Sequence, residues 1–470
     1  MMMNFKSYPA MTDCIVPEKV ILTTDNFSNA FKNMVNIKSV TLSMDKITNI
    51  SNIYSGCSNL TGSPVCGNNV TNMAYAYFNC SNITGSPVCG ENVTSMQGTY
   101  INCYNLTGSP VCGNNVNIMS YTYMNCRNLT GSPVYGEKVV SMSNTYRNCY
   151  NLTGSPVCSD NIGDMSGTYT NCRNLTGTPV CGNKVWTMDD TYSGCNNLTG
   201  SPVCGNNVVT MRRTYSGCSN LTGSPVCGEN VTNMVDTYSG CSNLTGSPVC
   251  GDKVTSISYA YSFCYNLTGS PVCGENVTSM SGAYRHCYNL TGSPVCGEKV
   301  NDMYEIYSSC SNLTGQPVCG NNVTNMYYTY YRCSNLTGSP VCGEKVDNMS
   351  FAYCDCSNIT GQPVCGNNVT NMAYAYLNCS NLFGNSYFYS TNVSNVKSCF
   401  RGISNMLNIY VTANSTTMTS LLCNNRNSII NDYITWTDDT ATNGCYYNTS
   451  HNIYIYPVAN VAAARAANGD

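Results

Sequence analysis

The stretch that decides the fold is YSGCSNLTGSPVCGENVTNMVDT, residues 215 to 237, because the chain restarts on the same pattern at Tyr238. Read outward in both directions, this unit repeats fourteen times at 23 residues, without insertion or deletion, from Tyr54 to Ala375. Counting from the leading Tyr, all fourteen copies keep Tyr at position 1, Cys at 4, Asn at 6, Thr at 8, Gly at 9, Pro at 11 and Val at 12. Position 7 is Leu apart from Ile83 and Ile359, position 17 is Val or Ile, and position 20 is Met apart from Ile257. Apolar residues at 1, 4, 7, 12, 17 and 20 fit neither a long amphipathic helix nor an alternating strand. They fit one turn of a solenoid, which points fixed side chains to its axis and stacks like residues on like.

Within each coil, Pro-Val-Cys at 11 to 13 is expected to be a short parallel strand, held to two or three residues because Pro lacks an amide donor. The stretch from the Met at position 20, through the leading Tyr, to the Cys at position 4 has helix-like spacing and is expected to form a short or 3₁₀ turn. Phe31, Met34, Ile37, Leu42, Ile47 and Ile50 occupy the core positions of a worn coil at 31–53. After Tyr376, Cys379 and Leu382 the register slips by one, and Phe400 takes the next aromatic place. Worn end coils cover the last ladders of such a stack. The expected organisation is a cap or attachment segment at 1–30, the worn coil at 31–53, the array at 54–375, degenerate repeats at 376–412, and a small region at 413–470. In the last region, ITWT and NIYIYPV read as strands and VAAARAA as a short helix.

The aromatic-x-x-Cys-x-x-Leu-Thr run (Tyr54, Cys57, Leu60, Thr61), the Val-x-x-Met pair (Val70, Met73) and the 23-residue period resemble the BspA-like leucine-rich repeats of bacterial and phage surface proteins. The resemblance spans residues 31 to 402 and implies a leucine-rich-repeat-like right-handed coil stack serving adhesion and recognition without catalysis. The family carries more aliphatic residues in its strand where this chain has Gly-Ser-Pro.

Charge and chemistry narrow the function further. With 21 Lys and Arg against 24 Asp and Glu, net −3, the chain lacks the dense cationic footprint of a nucleic-acid binder. No run of 18 apolar residues exists to form a membrane-crossing helix. Residues 1–20 do not read as a secretory signal, so the expectation is either a chain that starts at a mature end or export by another route, such as incorporation into a virus particle. Of the 33 Cys, 14 sit at position 4 and 13 at position 13, where Tyr135 replaces the missing one. Intra-coil disulfides would strand Cys126, so a cysteine ladder of small apolar free thiols is the favoured reading, with disulfides the alternative.

The in-unit C-x₈-C spacing and two His give no zinc pattern, although Cys354 and Cys356 are close. No metal and no cofactor are expected. His286 and His451 stand in no nucleophile arrangement that the sequence specifies, and Asp189 with Asp190 reads as a solvated face. Every coil carries an Asn-Leu-Thr or Asn-Ile-Thr acceptor pattern. The plainer reading gives that Asn a hydrogen bond to the backbone of the bend.

Positions 2, 3, 5, 21 and 22 vary while the core does not, drawing on Ser, Tyr, Asn, Gly, Asp and Arg as binding loops do. Drift at unconstrained exposed sites explains the same variation. The candidate binding residues are Tyr75, Tyr121, Tyr259, Tyr328, Tyr331, Arg332, Phe351 and Tyr374, of which Tyr259, Tyr328, Tyr331, Phe351 and Tyr374 are expected to form a partly exposed aromatic stripe with Arg332 beside it. The expected function is a recognition rod, sixteen coils and roughly 75 Å long. Its place is a phage virion fibre or receptor-binding protein, contacting a host cell-surface glycan or protein. The termini would join other virion or surface proteins, and the protein could form homo-oligomers. A bacterial surface adhesin is one alternative. An ice-binding solenoid using the Thr and Ser files at positions 8 and 10 is the other.

Overall fold

The computed structural model describes residues 10–15, 25–422, 436–448 and 452–469. The chain divides into two compact units, 1–231 and 232–470, each a stack of leucine-rich-repeat-like coils. Successive coils are joined by backbone hydrogen bonds in which alternate amides point to the neighbouring coil. Early in the array, the amides of Met73, Tyr75, Tyr77 and Asn79 donate to the carbonyls of Ser95, Gln97, Thr99 and Ile101 at 3.0, 2.8, 2.9 and 2.8 Å. Intervening amides turn back on their own coil, Ala76 to Met73 and Cys80 to Tyr77, both at 3.0 Å. Parallel bridges therefore run through position 19, as in Asn49, Asn72, Ser95 and Ile118.

The short turn expected here forms, but it is not helical. A helix sends its amides along its own chain and leaves none for the next coil. The chain instead forms overlapping β-turns, with positions 22 and 3 left-handed in all fourteen coils, for example Tyr75 at φ 55° and Asn79 at φ 60°. The invariant glycine at position 9 is left-handed as well. At Gly85 a Cβ would run into the Ser63 hydroxyl of the preceding coil, which explains why only glycine stands there.

The expected Pro-Val-Cys strand is absent from the regular coils. Pro gives no amide to a ladder, and the polar groups of the following Val are taken by a side chain. Val203 donates its amide to the Tyr215 hydroxyl at 3.0 Å, and that hydroxyl donates to the Val203 carbonyl at 2.6 Å. The same pair recurs at Val88 with Tyr100 and at Val318 with Tyr330. The Tyr rings stack through each unit, with centroids 5.6 Å apart and planes within 6° for Tyr100 and Tyr123. With its backbone held this way, the valine at position 12 is not part of the buried core: it is half-buried through the array and exposed at Val65. The proline before it, such as Pro64, takes the buried place expected of the valine.

Position 23 completes the core. Ala76, Thr99, Thr122 and Ile306 are all buried. The Thr99 hydroxyl donates to the carbonyls of Met96 at 2.8 Å and Met73 at 3.0 Å, so the polar atom is satisfied. The cysteine at position 4 uses the same step between coils, with the Cys80 thiol donating to the Tyr54 carbonyl at 3.0 Å. All described cysteines are free thiols, and Cys423 lies outside the described residues. Those at position 13 are only half-buried through most of the array, with weaker contacts such as Cys112 to the Gly113 carbonyl at 3.6 Å.

At the start of the first unit, Phe31 stacks on Tyr54 at 5.5 Å, and β1 (Asp13–Ile15) pairs in parallel with β2 (Ser39–Thr41). In the second unit the slipped register holds, since Phe400 stacks on Tyr376 at 6.0 Å with planes 3° apart. A five-stranded sheet follows, ordered β3 (Gly384–Phe388), β4 (Leu407–Thr412), β7 (Ile453–Val458), β6 (Cys445–Asn448) and β5 (Thr437–Asp439). Parallel β3–β4–β7 pairing continues the coils, and β5 and β6 join antiparallel. Two short helices, α1 (Thr416–Leu422) and α2 (Val461–Ala467), complete it. Of ITWT, Ile434 and Thr435 lie outside the described residues, as does His451.

Two outcomes follow from these bonds. Tyr215→Phe strips the partner from both polar groups of Val203 and should cost about 1–3 kcal/mol locally. Hydrogen exchange at the Val203 amide reads this directly, and unchanged protection would show that water replaces the hydroxyl. Burial pushes thiols such as Cys57 and Cys218 up to about 12. Their contribution to stability is whole below the ordinary thiol value of about 8.5 and is lost as pH climbs toward the raised one. The urea midpoint should therefore be level to about pH 8 and fall above it.

Candidate functional site

The left-handed positions 22 and 3 border the run of turns, and the variable side chains project from it. Glycine, Asn and Asp take φ near +60° most readily, and many coils use them, as at Gly98, Asn144 and Asp190. Six coils place an aromatic residue at position 22 instead: Tyr75, Tyr121, Tyr259, Tyr328, Phe351 and Tyr374, at φ between 54° and 62°. A non-glycine residue in this region costs on the order of 1–2 kcal/mol, so packing or a partner must offset it.

In the second unit the offset is visible. Tyr328 stacks on Phe351 at 4.5 Å, and Phe351 on Tyr374 at 4.5 Å. Tyr331 meets Tyr328 edge-on at 5.0 Å, and Tyr327 meets it at 4.4 Å. Each such pair is worth about 0.5–1.5 kcal/mol beyond buried area, comparable to the backbone cost. Arg332 lies over the Tyr331 ring at 4.9 Å and reaches the Asp355 carboxylate at 3.5 Å. Lys397 caps the Tyr374 end at 5.7 Å.

All five rings are half-buried, and Arg332 is exposed. Burial, followed by the neighbouring Tyr327, pushes the Tyr328 hydroxyl up to about 12, so it is a neutral donor at physiological pH. With their faces covered by one another, the stacked rings offer edges and hydroxyls, beside one partly neutralised guanidinium. Such a surface offers apolar area and directed hydrogen bonds.

The stripe is therefore Tyr328, Tyr331, Phe351 and Tyr374 with Arg332 beside them, and Tyr327 joins it. Position 21 is among the variable positions, but in the sequence Tyr327 carries no signal beyond that. Tyr259 does not join: its ring lies against Gly282 of the next coil, where a Cβ would collide with it. In the first unit, Tyr75 covers Gly98 and meets Phe78 edge-on at 6.2 Å. Tyr121 is 38% exposed and pairs with no other described ring.

The remaining candidates have structural roles. Arg213 holds Asp190 through two bonds of 2.8 Å, and Asp189 accepts from the Arg212 amide at 2.8 Å, so this pair is engaged and not simply solvated. His286 stacks on Phe263 at 4.7 Å, and burial, with Arg285 and Arg332, holds its pKa below the usual imidazole value. The asparagine at position 6 does not bond the bend as expected: it is exposed, and contacts such as Asn289 to Asn266 at 3.5 Å run between coils. Among the described residues, no three His, Cys, Asp or Glu side chains are grouped to hold a metal ion.

No family model and no curated protein matches the chain. Among solved structures it is similar to a leucine-rich cell surface protein from Faecalibacterium prausnitzii A2-165, at 14% identity over 90% of this chain and 92% of that one, with a TM-score of 0.27. It is also similar to a leucine-rich-repeat protein from Bacteroides ovatus ATCC 8483, at 12% identity over 85% and 78%, with a TM-score of 0.27.

Tyr121 supplies the test of the strain argument, since no ring stack compensates it. Tyr121→Asn should leave stability unchanged or raise it by up to about 1 kcal/mol in urea unfolding. A loss would reveal packing under Tyr121 that outweighs its backbone cost.

Proposed function

We propose that the protein is a non-enzymatic surface recognition protein, and that the Tyr328–Phe351–Tyr374 stack with Tyr327, Tyr331 and Arg332 is its contact surface. The carrying observation is that three successive coils place aromatic rings at a left-handed position where Gly, Asn or Asp would be cheaper. Ring edges bury apolar area against a sugar or a protein surface, while tyrosine hydroxyls and Arg332 supply orientation. The partner is a host cell-surface glycan or protein, and the protein works on a virion as a fibre or receptor-binding component, its termini joining other virion proteins. A bacterial surface adhesin would use the same stack. Ice binding has less support, because the threonine hydroxyls at position 8 are engaged within the protein, as in Thr130 to the Gly108 carbonyl at 3.3 Å.

Tyr328→Ser combined with Tyr374→Ser should leave the coils folded, since neither ring belongs to the axial core, and should weaken attachment to host cells about tenfold or more. Unchanged attachment by the folded double variant would move recognition to another surface. Mass spectrometry of purified particles distinguishes a virion protein from a cell-surface one.

A further inference from the structure

Position 5 in four successive coils of the first unit holds Tyr104, Arg127, Tyr150 and Arg173, an alternation of ring and cation found nowhere else in the array. The Arg127 guanidinium lies 4.9 Å from the Tyr104 ring centre and 5.9 Å from that of Tyr150, and Arg173 covers the other side of Tyr150 at 5.1 Å. Tyr104, Arg127 and Arg173 are exposed, and Tyr150 is half-buried. Arg147, at position 2 of the third of these coils, adds a half-buried third cation, bonded to the Asn144 amide oxygen at 3.1 Å.

We propose that this ridge binds an anionic polysaccharide, a chain bearing carboxylate or sulfate groups at regular intervals. Charge pairing separates these arginines from three others, although Arg212 and Arg401 also form no ion pair among the described residues. Arg213, Arg285 and Arg332 each meet a carboxylate, on Asp190, Glu305 and Asp355. Arg127 and Arg173 form no side-chain hydrogen bond or ion pair with the described residues, and no Asp or Glu stands at positions 1 to 10 of any coil from Tyr77 to Ser201. A chain of net charge −3 thus keeps a stripe of cations free of neutralising groups.

The rings fix where the guanidiniums sit. Stacking over Tyr removes much of an arginine side chain's freedom while leaving its edge N–H groups open, the arrangement that receives an oxyanion in a fork. Alternation places the two exposed cations two coils apart, so they match anionic groups on alternate sugars of an extended chain better than a single phosphate or carboxylate. Tyr hydroxyls and ring edges between them suit the intervening sugar. Single-stranded nucleic acid is the weaker fit, because base recognition needs open ring faces, and Tyr150 has a guanidinium on both of its own.

This proposal does not rest on the aromatic stack of the second unit, and its probes are purified polymers, so its failure leaves that reading intact. The test is affinity electrophoresis of the full-length protein at low salt through gels containing polygalacturonate, dextran sulfate, neutral dextran or single-stranded DNA. Retardation by polygalacturonate identifies a uronate partner and by dextran sulfate a sulfated one, with none by neutral dextran. The Arg127→Gln, Arg173→Gln variant should lose about tenfold or more of that affinity. Tyr104→Ser with Tyr150→Ser, which keeps the charge and removes the stacking, should lose part of it. Absence of retardation by both polyanions, equal retardation of the folded arginine variant, or retardation by DNA alone would each overturn the proposal.

Discussion

Everything regular in this protein depends on sending alternate amides of one stretch to the next coil. Met73, Tyr75, Tyr77 and Asn79 donate outward, and the amides between them must close tight turns on their own chain. That demand puts positions 22 and 3 in the left-handed region. It also brings position 23 to the axis, where a residue of Thr, Ala or Ile size fits and where a threonine hydroxyl can reach two methionine carbonyls. A single backbone arrangement therefore dictates which positions are fixed, which are small, and which face solvent.

The opposite side of the coil solves the reverse problem. Proline cannot donate to a ladder, and the valine after it would carry two unsatisfied polar groups at the edge of the core. The tyrosine hydroxyl of the next coil serves both, accepting from the amide and donating to the carbonyl. Phenylalanine would stack as well and would leave both groups bare, so stacking alone does not account for Tyr in fourteen of fourteen copies. The ring file and the hydroxyl bridge together couple each coil to the one before it, on the side where backbone pairing is missing.

How much of this can be read from the sequence follows from the same physics. The period, the worn ends at Phe31 and Phe400, and buried positions such as Leu221 and Met234 are legible because they recur as fixed apolar residues. The strand expected at Pro-Val-Cys is misplaced, because valine after glycine and proline looks like a strand core until the tyrosine hydroxyl is seen to occupy its backbone. Position 23 escapes notice because threonine reads as a surface residue, although its restriction to Thr, Ala and Ile is an available signal. Of the candidate site, residues one coil apart at the same position, such as Tyr328 and Phe351, fall into one stripe by register alone. Tyr259 does not join because its neighbours at position 22 are Asp236 and Gly282, and a stack needs rings in successive coils.

Backbone conformation also gives the variable positions a scale of meaning that composition lacks. At a left-handed site, Gly, Asn and Asp are the inexpensive residues, and their presence at Gly98 or Asn144 calls for no partner. An aromatic residue there is a departure of on the order of 1–2 kcal/mol, which Tyr121 bears without a ring stack among the described residues. Tyr328, Phe351 and Tyr374 offset one another as a set, which separates them from Tyr121. Position 5 carries no such backbone cost, so there the informative departure is the alternation of ring and cation: Arg127 and Arg173 lie against the Tyr104 and Tyr150 rings and, unlike Arg213, Arg285 and Arg332, meet no carboxylate among the described residues.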